Sequence, residues 1–109
     1  MKASDPIPKS ERLSERSTLV LTSLAGGYKH GYALIKDVEG FSGVKLGPGT
    51  LYAALARLER EGLIEALPET ERRRPYQITT AGTEVLTARL SDSARIARLG
   101  LTRIRVAGS

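Results

Sequence analysis

The segment from Gly47 to Gly62 limits what this chain can fold into more than any other part of it. Pro48 stands where the first turn of a helix tolerates proline, because the missing N–H has no intrahelical partner there anyway. Leu51, Leu55 and Leu58 follow at spacings of four and three and form one apolar face, and Gly62 sits where a left-handed residue closes such a helix. The opposite face carries Thr50, Ala53, Ala54 and Arg57, residues small or polar enough for the helix to approach another surface closely. Two short runs, 63–67 and 75–79, follow with strand-like patterning, and the arm that leads back carries Arg72, Arg73 and Arg74 in succession. A helix with one face committed to a core, followed at once by an arginine-bearing hairpin, is the element around which the rest must be arranged.

Upstream, Leu13, Val20, Leu21 and Leu24 recur at helical spacing, with Ser10 or Ser14 as N-cap and Gly26-Gly27 as the stop. His30 and Gly31 open a second, shorter helix in which Leu34, Ile35 and Val38 share a face, ending at Gly40. Residues 41–46 read as a turn with one or two buried side chains. From Thr80 a last helix carries Leu86, Leu90, Ala94, Ala97, Leu101 and Ile104, a stripe longer than the first three helices can cover. That stripe predicts a dimerisation helix. The first ten residues, polar and broken by two prolines, read as a flexible tail. The expected organisation is therefore a tail at 1–10, a folded unit at 11–79 and a C-terminal dimerisation helix at 80–106.

With 109 residues the chain holds one core, and with 5% aromatic residues and no Trp that core is built from aliphatic side chains, which suits packed helices. The net charge of +5 draws the molecule to polyanions but says little by itself. The absence of cysteine excludes disulfides and thiolate metal sites. His30, the only histidine, has no triad or metal-ligating company; it reads as a helix-start or hydrogen-bonding residue, and neither a catalytic site nor a metal or cofactor is expected. Gly47-Pro48-Gly49-Thr50 lacks the Lys-Ser/Thr ending of a phosphate-binding loop. No stretch has the length and apolarity of a signal peptide core or a membrane span, so a soluble, cytoplasmic protein is expected.

Mainly α with a small β-hairpin, in the order helix, helix, turn, helix, hairpin, helix, the chain has the plan of a winged helix-turn-helix. In that plan the helix from Pro48 is the reader. Its free N–H groups and dipole favour phosphate at the end that Pro48 and Gly49 open, Thr50 can donate to phosphate, Arg57 reaches backbone or a guanine edge, and Ala53 reaches a thymine methyl. A charge run is ordinarily a solvated loop, and Glu69 and Glu71 balance part of this one. Arg72, Arg73 and Arg74 nevertheless sit on a hairpin beside the reader, where arginines pair with phosphates or enter the minor groove. Strand alternation sends Arg72 and Arg74 to one face and Arg73 to the other. Tyr28, Tyr32, Tyr52 and Tyr76 suit packing between helix and wing, with the hydroxyls of Tyr32 and Tyr52 near phosphate; Lys36 and Lys45 complete the expected DNA-binding set.

His30-Gly31-Tyr32, Pro48-Gly49-Thr50-Leu51-Tyr52, then Leu55, Leu58, Glu59, Gly62, Leu63 and Ile64, together with Arg72–Arg74, Tyr76 and Thr79-Thr80-Ala81-Gly82, resemble the PadR family of transcriptional regulators over about residues 17 to 86. The resemblance implies a dimeric winged-helix repressor acting on double-stranded DNA and, as in many members, released by a small lipophilic or aromatic effector; the two-fold symmetry of such a dimer predicts an inverted-repeat operator. With little mass beyond the wing, such an effector would lie at the dimer interface, between the first and last helices. Gly47 and Ala53 depart from the polar cap and the proline common in the family. The competing readings are a winged-helix protein-protein module and a non-specific nucleic-acid-binding protein.

Overall fold

The computed structural model describes residues 13–108. The expected tail at 1–10 and the alternative cap Ser10 lie outside the described residues. The elements run α1 (Glu15–Ala25), β1 (Lys29–His30), α2 (Gly31–Ser42), α3 (Pro48–Arg60), β2 (Ile64–Ala66), β3 (Pro75–Ile78) and α4 (Thr80–Gly108).

Each helix boundary has a local cause. Ser14 caps α1, its hydroxyl accepting from the Ser17 N–H at 3.0 Å. α2 continues past Gly40 to Ser42 and ends on Gly43 in the left-handed region, so the turn expected at 41–46 shrinks to 43–47, with Leu46 buried and Phe41 exposed. Gly40 keeps an ordinary helical place because a glycine lowers helix propensity without ending a helix whose buried face continues to hold. α3 closes in a Schellman arrangement: Gly62 adopts φ 76°, its N–H donates to the Glu59 carbonyl and the Leu63 N–H donates to the Leu58 carbonyl, both at 3.0 Å. Thr79 caps α4 by accepting from the Gly82 N–H at 3.0 Å, while its own hydroxyl donates to the Gly62 carbonyl at 2.7 Å.

The sheet has three antiparallel strands in the order β1-β3-β2, so the two-stranded hairpin expected from sequence is corrected by one strand. Lys29 pairs with Tyr76 and His30 with Pro75, while Ile64, Glu65 and Ala66 pair with Ile78, Gln77 and Tyr76. Two residues without β-branching give no strand signal; their pairing is imposed by tertiary contact. The same stretch is fixed from the other side, since Lys29 Nζ donates to the Ser23 carbonyl at 2.5 Å at the end of α1. It also lies 3.9 Å from Asp37 of α2, whose carboxylate accepts from the buried Ser23 hydroxyl at 2.6 Å.

One core joins the elements. Val20, Leu21 and Leu24 of α1, Leu34 and Val38 of α2, Leu51, Leu55 and Leu58 of α3, and Leu63 and Ile64 are buried together with Leu13, Leu46 and Leu86. At about 25 cal/mol per Å² of apolar area, burial of a leucine side chain stabilises by roughly 1.5 to 3 kcal/mol. The α3 leucines alone therefore hold the outward face of that helix in a fixed orientation. Leu86 belongs to this core, which corrects its expected place at a subunit interface. The exposed part of the α4 stripe begins at Leu90 and includes Leu101 and Ile104, 65% and 70% exposed. Ala94 and Ala97 lie exposed between them. Ile96, Leu99 and Val106 are exposed as well, apolar positions of α4 that the stripe did not include.

Candidate nucleic-acid interface

α3 turns its polar side outward because Leu51, Leu55 and Leu58 fill the inner one. Gly49, Thr50, Tyr52, Ala53, Ala56, Arg57 and Arg60 are exposed, and Ala54 is half-buried. Gly47 caps the helix in extended conformation without a side-chain hydrogen bond. The N–H groups of Gly49 and Thr50 are thereby left without a capping side chain, at the positive end of the dipole, where an anionic oxygen is accepted. Ala56 and Arg60 were missing from the sequence-based set although their spacing from Ala53, three and seven residues, puts them on the same face.

Tyr52 projects toward the start of α2. Its hydroxyl lies directly against Gly31, and its ring carbon Cζ is 3.0 Å from where a Cβ on Gly31 would be. Tyr32 and Tyr52, 67% and 52% exposed, line one cleft with His30, Glu69 and the arginines 72, 73 and 74. Sequence-distant parts of the expected set thus meet in one place. Lys36 lies one turn beyond Tyr32 on α2 and Lys45 in the turn before α3, both exposed.

The tip of the wing is a two-residue turn. Thr70 and Arg73 exchange both backbone hydrogen bonds at 2.9 Å, and the central residues, Glu71 and Arg72, have φ of 51° and 65°. Positive φ at both central positions is the signature of a type I′ hairpin turn, usually filled by Asn or Gly. Arg72 is therefore a turn residue, so simple strand alternation does not order the three arginines. Arg73 Nη1 lies 3.2 Å from His30 Nε2; a guanidinium only donates, which makes the imidazole nitrogen the acceptor. Arg74 Nη1 donates to the Leu67 carbonyl at 2.7 Å and stiffens the base of the tip. His30 thus has the hydrogen-bonding place expected of it.

Behind the cleft, Tyr76 of β3 is half-buried. Burial pushes its hydroxyl above the ordinary tyrosine range, the Glu59 carboxylate and Tyr52 push in the same direction, and Arg74 opposes them. On the far side of α3, Arg57 Nε lies 3.5 Å from Glu61 Oε2, an exposed pair of the i,i+4 kind that contributes little to stability. Among the described residues no group of His, Asp or Glu is arranged to hold a metal ion. No helix there is long and apolar enough to cross a membrane.

Three packed helices, the third with a small polar outward face, and a three-stranded wing edged with arginine define a DNA-binding winged helix-turn-helix. The profile of the PadR-like family of transcriptional regulators matches residues 20–88, and the chain belongs to that family, a non-enzymatic class. It is 46% identical over 85 residues to an uncharacterized 37.1 kDa protein in transposon TN4556 of Streptomyces fradiae; the match covers 78% of this chain and 25% of that protein. The chain thus spans about a quarter of the length of this curated relative. A PadR family transcription regulator of Clostridium difficile R20291 superposes with a TM-score of 0.75 at 25% identity, covering 84% of this chain and 99% of that one. A transcriptional regulator of Clostridium thermocellum superposes with a TM-score of 0.69 at 27% identity, covering 79% and 89%.

Proposed function

We propose that this chain acts in the cytoplasm as a homodimeric repressor that binds an inverted-repeat operator, with 11–79 as the DNA-binding unit and 80–106 as the dimerisation helix. The observation that carries the reading is the division of α3: three leucines fully inside, and an outward face of Gly49, Ala53 and Ala56 flanked by Tyr52 and Arg57. In this reading Gly49 and Thr50 hold phosphate through backbone N–H groups, with Pro48 fixing the first turn. Ala53 meets a base edge; Tyr32, Tyr52, Lys36, Lys45 and the wing arginines contact the backbone.

The dimer is supported by α4. Leu90, Ala94, Ala97, Leu101 and Ile104 remain exposed on a helix whose core contacts end near Leu86, a surface that a second copy covers in an isologous, two-fold pairing. A small lipophilic or aromatic effector placed between α1 and α4 of the paired subunits shifts the spacing of the two reading helices and so releases DNA.

The reading is tested by selecting duplexes from a random-sequence library with the purified protein. Enrichment of an inverted repeat with half-sites about 10 base pairs apart, one helical turn, is expected. Binding without enrichment of any motif, carried by a steep salt dependence alone, would instead establish a non-specific nucleic-acid binder.

A further inference from the structure

α3 has a second basic wall. The outward side of the helix is bounded on one edge by the wing cleft and on the other by a cleft to the start of α1, lined by Arg16, Ser17, Thr50, Ala53 and Arg57 among others. At about 100° per residue, Thr50 and Arg57 stand roughly 60° and 40° to one side of Ala53 and Tyr52 roughly 100° to the other. The two walls therefore lie on opposite flanks of the same reading face. Arg16 and Arg57 come from different helices to line one cleft that has no carboxylate in its lining. Among the described residues Arg16 forms no ion pair, and Glu61, 3.5 Å from Arg57 Nε, is not part of the cleft lining. Glu15 lines an adjoining depression with Leu19 and Val44, and Arg16 borders both.

Two arginines lining one cleft whose own lining holds no carboxylate offer an anion a site between them. An α-helix with its side chains is about 10–12 Å across and the major groove about 12 Å wide, so a helix seated there has a phosphate strand on each flank. From this geometry we propose that Arg16, at the first turn of α1, forms with Arg57 a clamp for the phosphate strand opposite the one met by the wing. The proposal rests on the DNA-binding reading above and deepens it. It assigns Arg57 to the backbone instead of a guanine edge, leaves base contact to Ala53 and Ala56, and makes the interface a two-sided grip on one major groove.

The test uses the full chain and a duplex selected by the wild-type protein, with binding followed by fluorescence anisotropy between about 50 and 200 mM salt. Arg16→Ala is expected to weaken binding roughly tenfold and to make the log–log salt slope shallower by about 0.9, the share of one phosphate contact. Arg16→Lys, which keeps the charge, is expected to retain the slope. Replacing single phosphates by neutral methylphosphonates locates the contact. In the wild type a position on the strand away from the wing weakens binding, and in Arg16→Ala the same replacement has no further effect while wing-side positions keep theirs. An unaltered slope in Arg16→Ala, with wild-type thermal unfolding, overturns the clamp and leaves the DNA-binding reading standing. Failure of the wild type to bind any selected duplex overturns both.

Discussion

The Leu63 carbonyl oxygen lies directly against the Cα of Gly82, where the end of α3 meets the first turn of α4. A Cβ on Gly82 would collide with that oxygen and lie 2.8 Å from Ile78 Cγ1. The oxygen is not free to retreat, because it accepts from the Thr79 N–H at 3.0 Å. Gly82→Ala is therefore expected to lower stability by about 3 kcal/mol, the upper range for overpacking against a rigid neighbour. Urea unfolding at fixed protein concentration checks it: the midpoint falls, and the slope stays the same because the surface exposed on unfolding is unchanged.

This contact shows what was and was not legible in the sequence. Leu51, Leu55, Leu58 and Gly62 announce α3 because helix periodicity and its left-handed stop are local properties. The physical reason for the Thr79-Thr80-Ala81-Gly82 run, a capping threonine and a glycine where two backbones touch, needs the fold. β1 was invisible because Lys29 and His30 become a strand only through Tyr76 and Pro75, distant in the chain. Glu71 and Arg72 gave no turn-type signal because neither is the glycine or asparagine that positive φ favours. Arg16 carries no local signal either, since only folding brings α1 beside Arg57.

Gly31 offers a softer version of the Gly82 test. The atom in the way of a Cβ is the Tyr52 hydroxyl, the end of a side chain that is half exposed and able to swing. Gly31→Ala is expected to cost less than about 1 kcal/mol of stability, well below Gly82→Ala, while displacing Tyr52 from the wing cleft. DNA binding by Gly31→Ala should fall severalfold. In a Tyr52→Ala background the same change should leave affinity unmoved, which a double-mutant cycle measures.

The wing tip holds two non-glycine residues in left-handed conformation, which costs on the order of 1 kcal/mol each. Replacing them with the residues a type I′ turn favours, Glu71→Asn with Arg72→Gly, is expected to slow hydrogen exchange at the Thr70 and Arg73 amides, which donate across the turn. If Arg72 holds phosphate, the same variant binds DNA more weakly despite its firmer wing. Slower exchange with unaltered affinity would remove Arg72 from the interface.

For α4 the expected outcome is a change of assembly. Leu101→Glu with Ile104→Glu places two carboxylates on the exposed stripe, far from the core contacts that end near Leu86. Sedimentation at micromolar concentration should show a monomer where the wild type is a dimer, and affinity for an inverted repeat should drop toward that of a single half-site. A wild type that sediments as a monomer would remove the dimer from the proposal.

Tyr76 links the wing to alkaline pH. Burial first, then the Glu59 carboxylate and Tyr52, raise its pKa in the folded state above the ordinary value of about 10. The folded chain then keeps a proton that the unfolded chain has released, so this contribution to stability is whole below about pH 10 and is lost as the pH rises through the folded-state value. Tyr76→Phe removes the titrating group, and its stability should decline less steeply than the wild type above pH 10 in denaturant titrations. Glu59→Gln should bring the spectrophotometric tyrosinate transition of Tyr76 to lower pH, since it removes one of the charges that oppose ionisation. A Phe variant that follows the wild-type alkaline decline would show that another group controls it.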